Sequence, residues 1–216
     1  MSYTVGVDFD NTLVSYNGVF WKTAKRLGFI AGGAAINKKS IRDLIRRLPD
    51  GEIKWQEVQA YVYGRAMGQA VLMDGVEEFF GFCRNADVRI HIVSHKMQFA
   101  AQDKERIDLQ QAALKWMREN NFFNSKGFGL SAGQVFFEST REEKIRRIKT
   151  LSCSCFIDDL EEIFLAPSFP AGVQQCLFDP LGKIPPRANI KVFRNWREIT
   201  RYFVTQIGKT AVKVLN

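Results

Sequence analysis

The chain begins with an apolar segment that leads directly into two carboxylates, and this arrangement is suited to phosphate chemistry. The segment Thr4–Val7 is followed by Asp8 and Asp10, and Thr12 lies two residues further on. A carboxylate at the end of a buried strand is costly unless a ligand makes use of it. A divalent cation and a phosphoryl group are the obvious ligands, so this segment predicts Mg²⁺-dependent phosphate chemistry.

The spacing of these residues predicts a division of roles. If the chain leaves the strand after Asp8, both carboxylates lie at the carboxyl end of the strand, where open α/β sheets bind ligands. Asp8 can then attack phosphorus, Asp10 can act as general acid and base, and the Thr12 hydroxyl can donate to a phosphate oxygen. The alternatives are a turn with Asx hydrogen bonds or part of a calcium loop. An EF-hand loop needs further acidic ligands, which residues 14–20 do not supply.

Two later apolar segments also end in polar residues. One leads to Ser94, which can cap the following segment or donate to a phosphate oxygen. The other leads to the adjacent pair Asp158 and Asp159, whose charges repel unless a cation lies close to them. Mg²⁺ accepts one direct carboxylate and a second one through water. An equally open alternative is that the pair complements the dipole of a short following helix.

A lysine is expected to balance the negative charge at this edge of the sheet. Thr140 and Glu143 form a candidate capping box, which places Lys144 near the start of a helix that follows a strand. Lys149 lies one and a half turns further along, roughly 7.5 Å down the helix axis and away from the edge. Lys144 is therefore the better candidate, and the alternative for it is a solvated surface lysine.

Three further polar residues lie in or just after the strand that ends at Ser94. A core or surface role is expected for His91, which is internal to the strand. His95 and Lys96 can contact substrate from the loop, but the sequence gives no strong reason to assign them a role.

Strands and helices alternate over most of the chain, which predicts an α/β fold with a mainly parallel sheet. The expected strands are residues 4–7, 88–93, 135–137, 153–157 and 175–178, and the expected helices beside them are residues 75–83, 108–120, 140–148 and 196–204. Residues 15–72 contain three expected helices (20–27, 40–48 and 54–71) and no expected strand. We therefore expect a core formed by residues 1–14 and 73–216, with a helical insertion at 15–72.

Composition limits the class of protein. The 216 residues fit one domain or one core with a modest insertion, and no apolar run approaches the roughly 20 residues that span a bilayer. The N-terminus lacks the pattern of a secretory signal, and the four cysteines form no Cys-x-x-Cys pair. We therefore expect a cytoplasmic protein with no membrane partner. Cys153 and Cys155 alternate within a strand-like run, so we expect them to be reduced core thiols.

The net charge of +8 is concentrated in the helical insertion. Residues 15–72 contain ten lysines and arginines against four acidic residues, an excess of six. A basic surface attracts phosphorylated substrates, nucleic acid or acidic lipid, although each basic residue taken alone is more easily read as part of a solvated helix face.

Taken in order, the motifs resemble the four motifs of the haloacid dehalogenase (HAD) superfamily. The matching residues are Asp8-Phe-Asp10-Asn-Thr12, Ser94, Lys144 and Asp158-Asp159. Because it has an acid at position 10, the chain resembles the phosphatase branch of this superfamily, since the dehalogenases lack that acid. The resemblance implies a Rossmann-like three-layer core and a small helical cap at residues 15–72.

The resemblance also implies a role for each residue. Asp8 would form the aspartyl-phosphate, and Asp10 would protonate the leaving group and then deprotonate water. Thr12, Ser94 and Lys144 would hold the phosphoryl oxygens. The implied cofactor is Mg²⁺, with these ligands: Asp8, the backbone carbonyl of Asp10, Asp158, and Asp159 directly or through water.

The expected function is a Mg²⁺-dependent phosphatase acting on a small phosphorylated metabolite, such as a sugar phosphate or a nucleotide. One alternative is phosphotransfer to another hydroxyl, as in a phosphosugar mutase. Another is nucleic-acid binding or end processing, which the basic insertion motivates but no recognised nucleic-acid module supports. The sequence leaves the oligomeric state open.

Overall fold

The computed structural model describes residues 3–31, 37–103, 105–185 and 187–214, with side chains described through residue 207. The strands of the described chain are β1 (Thr4–Val7), β2 (Val14–Ser15), β3 (Val71–Leu72), β4 (Arg89–His95), β5 (Val135–Glu138), β6 (Cys155–Asp158), β7 (Gln174–Phe178) and β8 (Ile190–Phe193). The α-helices are α1 (Asn17–Arg26), α2 (Lys38–Arg46), α3 (Gly51–Tyr63), α4 (Val76–Asn85), α5 (Leu109–Glu119), α6 (Arg141–Thr150), α7 (Glu161–Phe164) and α8 (Trp196–Val214). Short 3₁₀ helices cover Met67–Gln69 and Ala132–Gln134.

Six strands form one sheet in the order β5-β4-β1-β6-β7-β8, and every neighbouring pair is parallel. This confirms the predicted α/β fold with a parallel sheet. The carboxyl ends of β4, β1 and β6 adjoin one another in the middle of the sheet. The sequence analysis did not predict β8, because this four-residue edge strand carries an exposed lysine, Lys191, and has too few residues to show a clear alternation.

Helices cover both faces of the sheet, which gives the three-layer core. Successive residues of a strand point to opposite faces, and in β6 Cys155 and Ile157 belong to one apolar cluster while Phe156 belongs to the other. The first cluster contains buried residues of α4, α5 and α8, and the second contains those of α6 and α7. Strands buried on both faces explain the nearly continuous apolar character of these segments.

Helices α1, α2 and α3 pack together through aromatic side chains beside the sheet. The rings of Phe20 and Trp55 stack with their centroids 5.1 Å apart, and the edge of Tyr63 lies 5.6 Å from Phe20. Helix α2 begins at the cap residue Asn37, whose side chain accepts a hydrogen bond from the backbone N–H of Ser40 at 3.0 Å. The buried apolar side chains of these helices belong to the same cluster as those on one face of the sheet, so the insertion and the core share an apolar interior.

The expectation that residues 15–72 lack strands is wrong. Strand β2 pairs with β3 in antiparallel fashion, so two short strands join the beginning and the end of the helical segment. Helix α3 ends at Tyr63 rather than continuing to residue 71, because Gly64 follows and the chain turns into the 3₁₀ helix before β3. Strands of two residues are too short to produce a periodic sequence signal.

All four cysteines are buried and free, which agrees with the prediction that Cys153 and Cys155 are core thiols. Within the described residues, no helix combines the length and apolar character needed to cross a membrane.

Candidate active site

The carboxyl ends of three neighbouring strands bring three buried polar residues together. Asp8 directly follows β1, Ser94 is the penultimate residue of β4, and Asp158 is the last residue of β6. The Ser94 hydroxyl donates a hydrogen bond to Asp8 Oδ1 at 2.9 Å. The backbone N–H of Asp8 donates to the carbonyl oxygen of Ile157 at 2.9 Å, so the position of Asp8 is fixed by the neighbouring strand.

Lys144 lies between two of these carboxylates and is almost completely buried. Its Nζ atom is 2.6 Å from Asp8 Oδ1 and 2.7 Å from Asp158 Oδ2. Burial alone would lower the pKa of Lys144, but the two carboxylates raise it above its ordinary value. The side chain is therefore a fixed positive charge at the centre of an acidic site.

The start of helix α6 explains how Lys144 reaches this position. The predicted capping box is confirmed: Thr140 Oγ1 accepts from the backbone N–H of Glu143 at 3.1 Å, and Glu143 Oε2 accepts from the N–H of Thr140 at 3.0 Å. Lys144 then lies in the first turn, at the same edge as the strand ends. Lys149, further along the helix, is exposed.

A tight turn after β1 carries Thr12 back toward Asp8. Asn11 has a positive φ of 61°, a conformation that asparagine tolerates better than most residues. The Thr12 hydroxyl is fully buried and lies 3.5 Å from Asp8 Oδ2, which is longer than an ordinary hydrogen bond between oxygens. Among the described side chains it is the only hydrogen-bonding group assigned to Asp8 Oδ2, so this oxygen is the less engaged of the two.

The carboxylates of Asp8, Asp158 and Asp159 form a cluster that fits a divalent cation. Each offers one oxygen, and these oxygens lie within 4.8 Å of one another. Mg²⁺ binds oxygen ligands at about 2.1 Å, so two ligands on opposite sides of the ion are roughly 4.2 Å apart and the cluster needs little adjustment. The residues therefore fit the metal that the sequence predicts.

The electrostatics of the acidic pair are consistent with a charge-balancing ligand. Burial raises the pKa of Asp158 to about 6, although Lys144 acts against this shift. Burial, together with Asp158 and Asp8, raises the pKa of Asp159 well above its ordinary value. The same pair directly precedes helix α7, and Asp158 Oδ1 accepts a hydrogen bond from the backbone N–H of Leu160 at 2.9 Å. The alternative, that these acids complement the dipole of helix α7, is therefore compatible with the structure alongside a metal site.

Asp10 lies apart from this cluster and is held by two residues that the sequence analysis did not assign. Lys96 Nζ is 2.7 Å from Asp10 Oδ2, and the hydroxyl of Tyr16 donates to Asp10 Oδ1 at 2.5 Å. Both partners are buried, and burial followed by the negative charge of Asp10 raises the pKa of Tyr16. The carboxylate of Asp10 is therefore fixed in orientation and does not belong to the group of clustered oxygens.

The helical insertion contributes two more side chains close to the acids. Lys38, the first residue of α2, places its Nζ 5.5 Å from the ring centre of Tyr63, the last residue of α3. Burial acts to lower the pKa of Lys38, but interactions with Tyr63, Asp159 and Asp10 outweigh it and raise the pKa. No sequence signal distinguishes Lys38 from the other basic residues of the insertion, since its position depends on how the helices pack against the sheet.

The two histidines do not join the site. His91 is buried in β4, where its ring packs beside Phe136 at 5.8 Å and its Nδ1 has no hydrogen-bond partner among the described residues. His95 Nε2 lies 3.0 Å from the carbonyl oxygen of Ser139. The expected core role of His91 is confirmed, and His95 makes a backbone contact next to helix α6.

Comparison with solved structures identifies the fold. No protein-family profile matches the chain, and no curated protein matches its sequence. A HAD-family hydrolase from Deinococcus radiodurans R1, solved with bound phosphate and sodium, superposes with a TM-score of 0.58 at 14% identity, over 96% of each chain. The chain has the HAD fold. A family IA HAD hydrolase from Entamoeba histolytica gives a TM-score of 0.57 at 12% identity, over 97% of this chain and all of that one.

A third HAD structure similar to this chain was solved with magnesium. It is a HAD-type hydrolase from Bacillus subtilis, which superposes with a TM-score of 0.52 at 15% identity, over 93% of this chain and 98% of that one. The similarity to all three covers nearly the full length of the chain. At these identities it establishes the HAD fold of the chain, and the chemistry must be argued from the site.

Proposed function

We propose that this protein is a HAD-superfamily phosphatase, which hydrolyses a phosphomonoester of a small metabolite with Mg²⁺ and through an aspartyl-phosphate at Asp8. The observation that carries the proposal is the environment of Asp8. Lys144 and Ser94 hold Oδ1 at 2.6 and 2.9 Å, while Oδ2 has only the long contact with Thr12 among the described hydrogen bonds. An oriented carboxylate with one free oxygen beside a fixed cation is suited to attack on phosphorus.

The reaction that follows from this arrangement has two steps. Asp8 Oδ2 attacks phosphorus as the bond to the ester oxygen breaks, and Asp10, which enters this step as the carboxylic acid, gives its proton to that leaving oxygen. Asp10 then takes a proton from water, whose oxygen attacks phosphorus and releases phosphate and the free Asp8 carboxylate. Lys96 and Tyr16 keep Asp10 oriented for both transfers.

In this proposal, three groups hold the transferring phosphoryl oxygens. Lys144 offers a buried positive charge, and the hydroxyls of Ser94 and Thr12 are donors directed at Asp8. Phosphoryl transfer depends on positioning and on neutralising charge on these oxygens, so the three groups supply what the reaction needs.

The metal ligands in this proposal are the carboxylates of Asp8, Asp158 and Asp159 together with the backbone carbonyl of Asp10. When bound, Mg²⁺ would neutralise charge on the phosphoryl group and reduce its repulsion from the anionic nucleophile. The oxygens that the three carboxylates offer lie within 4.8 Å of one another, which is a spacing that fits the ion.

We further propose that residues 15–72 act as a cap over the site. Lys38 and Tyr63, both from this segment, interact with the acids of the core, and β2 and β3 form a narrow connection at its two ends. A cap that closes on the site excludes water and favours small substrates.

The neighbouring structures include one described as a dehalogenase, which matches with a TM-score of 0.55 at 12% identity. Asp10 favours the phosphatase reaction, because a leaving ester oxygen needs a proton donor whereas a departing halide does not. Its two partners, Lys96 and Tyr16, fix the orientation of the Asp10 carboxylate on the loop that follows β1.

The direct test is phosphate release from para-nitrophenyl phosphate and a panel of phosphorylated metabolites, with and without Mg²⁺. We expect turnover that depends on Mg²⁺ and is lost in Asp8→Asn, with the fold of the variant checked by circular dichroism. Product analysis separates hydrolysis from phosphotransfer, since a mutase releases little free phosphate. Absence of phosphate release from every ester by the folded protein with Mg²⁺ would contradict the proposal.

A further inference from the structure

Lys38 differs from the other two lysines near the acidic cluster. Lys96 and Lys144 each make ion pairs of 2.7 Å or shorter with aspartates of the core. Among the described residues, no carboxylate lies within the 4.0 Å of Lys38 Nζ that defines an ion pair. Lys38 is thus a lysine at this site whose charge is not directly neutralised.

The ammonium group of Lys38 lies instead against aromatic rings. Its Nζ is 5.6 Å from the ring centre of Phe20 and 5.5 Å from that of Tyr63. A cation over a ring face is stabilised by the ring's charge distribution and keeps its hydrogen-bond donors available for another partner. Lys38 also makes a side-chain hydrogen bond with the Tyr63 hydroxyl, which uses one of the three donors of the ammonium group and leaves the others for an anion.

The Tyr63 ring lies near two lysines, Lys38 from the helical insertion and Lys96 from the core. Lys96 Nζ lies 4.9 Å from the Tyr63 ring centre, close to the distance for Lys38. Lys38 also interacts electrostatically with Asp159 and Asp10, so it is close to the acids without pairing with them. A second positive centre is thereby placed beside the proposed phosphoryl site, on the side of the insertion.

We propose that Lys38 and Tyr63 form a second anion-binding subsite, so that the substrate is a phosphomonoester that carries a further anionic group, either a carboxylate or a second phosphate. The inference rests on the proposed phosphatase function. The phosphoryl group to be transferred lies at Asp8 and Lys144, and the second anion pairs with Lys38 and accepts a hydrogen bond from the Tyr63 hydroxyl. The competing explanation is that Lys38 only offsets the negative charge of Asp159 and Asp10.

The test compares matched substrates that differ by one anionic group. Phosphoglycerate against glycerol phosphate adds a carboxylate, and fructose bisphosphate against fructose monophosphate adds a phosphate. The kcat/KM of each is measured at saturating Mg²⁺ for the wild type, Lys38→Gln and Lys38→Arg. Lys39→Gln is the matched control, because Lys39 is the next residue of the same helix and is exposed.

We expect the wild type to prefer the more anionic member of at least one pair by about 10-fold or more, equivalent to about 1.4 kcal/mol. Lys38→Gln should remove this preference, because it lowers the kcat/KM of the more anionic member much more than that of the less anionic member. Lys38→Arg should keep most of it, and Lys39→Gln all of it. The pair that shows the preference identifies the anion as a carboxylate or a phosphate.

Calorimetric titration of the same compounds into the Asp8→Asn variant, with and without Lys38→Gln, separates the two proposals. Binding that favours the more anionic compound and requires Lys38 supports the subsite even if no ester is hydrolysed. Hydrolysis with no such preference, or an equal loss for both members of each pair in Lys38→Gln, would overturn the subsite and leave the phosphatase proposal intact. Absence of any Lys38-dependent difference in binding would also overturn it.

Discussion

Replacement of Lys144 by methionine gives the sharpest stability prediction. Its Nζ lies 2.6 Å from Asp8 Oδ1 and 2.7 Å from Asp158 Oδ2, with the lysine side chain 1% exposed. At an effective dielectric constant of about 20, each contact corresponds to about 6 kcal/mol of Coulomb energy. The cost of removing all three charges from water cancels much of this gain. Deleting one partner of a buried ion pair costs about 3–5 kcal/mol, because it leaves an uncompensated buried charge.

We therefore expect Lys144→Met to lower the free energy of unfolding by about 3–5 kcal/mol in the absence of divalent cations. The assay is equilibrium urea unfolding at neutral pH in EDTA. Lys149→Met is the control, because Lys149 lies on the same helix but is exposed, and its replacement should change the stability by less than about 0.5 kcal/mol.

A second arm of the same experiment adds Mg²⁺. A cation held by Asp8, Asp158 and Asp159 takes over part of the charge that Lys144 neutralises, so Mg²⁺ should stabilise Lys144→Met more than it stabilises the wild type. A loss for Lys144→Met that is no larger than that for Lys149→Met would refute the electrostatic account of this lysine.

The remaining predictions concern the metal, the proton-transferring acid and its partners. The pKa of the Asp158 carboxyl is raised to about 6 in the folded protein. In metal-free protein, its protonation therefore favours folding at low pH, and this contribution to stability is lost as the pH rises through about 6. Mg²⁺ needs the ionised carboxylate, so the thermal stabilisation by Mg²⁺ should grow as the pH rises through about 6; a Mg²⁺ effect on Tm that is constant from about pH 5 to pH 8 would contradict the assigned ligands. Asp10→Asn should lower kcat by about 10²–10⁴-fold while the far-ultraviolet circular dichroism stays unchanged, and steady-state kinetics with wild-type kcat would remove Asp10 from the mechanism. Lys96→Met should lower kcat by roughly 10-fold or more, with a smaller change in KM, because it releases one oxygen of Asp10; a loss confined to KM would show that Lys96 binds substrate instead.

Local sequence patterns predicted the parts of the site that depend on single elements. An apolar strand followed by a carboxylate or hydroxyl located Asp8, Ser94 and Asp158 at one edge of the sheet, since parallel strands have their carboxyl ends together. The capping box fixed where helix α6 begins and thereby the position of Lys144. Each of these predictions required only the hydrophobic pattern of one strand or helix and the identity of the residues at its end.

The residues that escaped prediction depend on how separate elements pack. Lys96 follows β4 in a loop, and nothing in the sequence indicates that its side chain turns toward Asp10 on the loop after β1. In the sequence, Tyr16 and Tyr63 resemble core aromatic residues. The Tyr16 hydroxyl finds Asp10 on the loop after β1, and the Tyr63 hydroxyl finds Lys38 only when α2 and α3 pack together. Lys38 is one of ten basic residues in the insertion, and nothing in the sequence distinguishes it from the others. Only the packing of the helices shows that it lies beside Tyr63.

Trapping the covalent intermediate shows most directly whether Asp8 is the nucleophile. The Asp10→Asn variant lacks the proposed base for hydrolysis, and para-nitrophenyl phosphate has a leaving group that departs without a proton. The variant is mixed with this substrate and Mg²⁺, quenched in acid and mapped by peptide mass spectrometry. We expect one added phosphoryl group on the peptide that contains Asp8, and none when Asp8→Asn is combined with Asp10→Asn. Substrate turnover by the wild type without a phosphorylated Asp8 in the variant, or with the phosphoryl group on another residue, would contradict the assignment of Asp8 as the nucleophile.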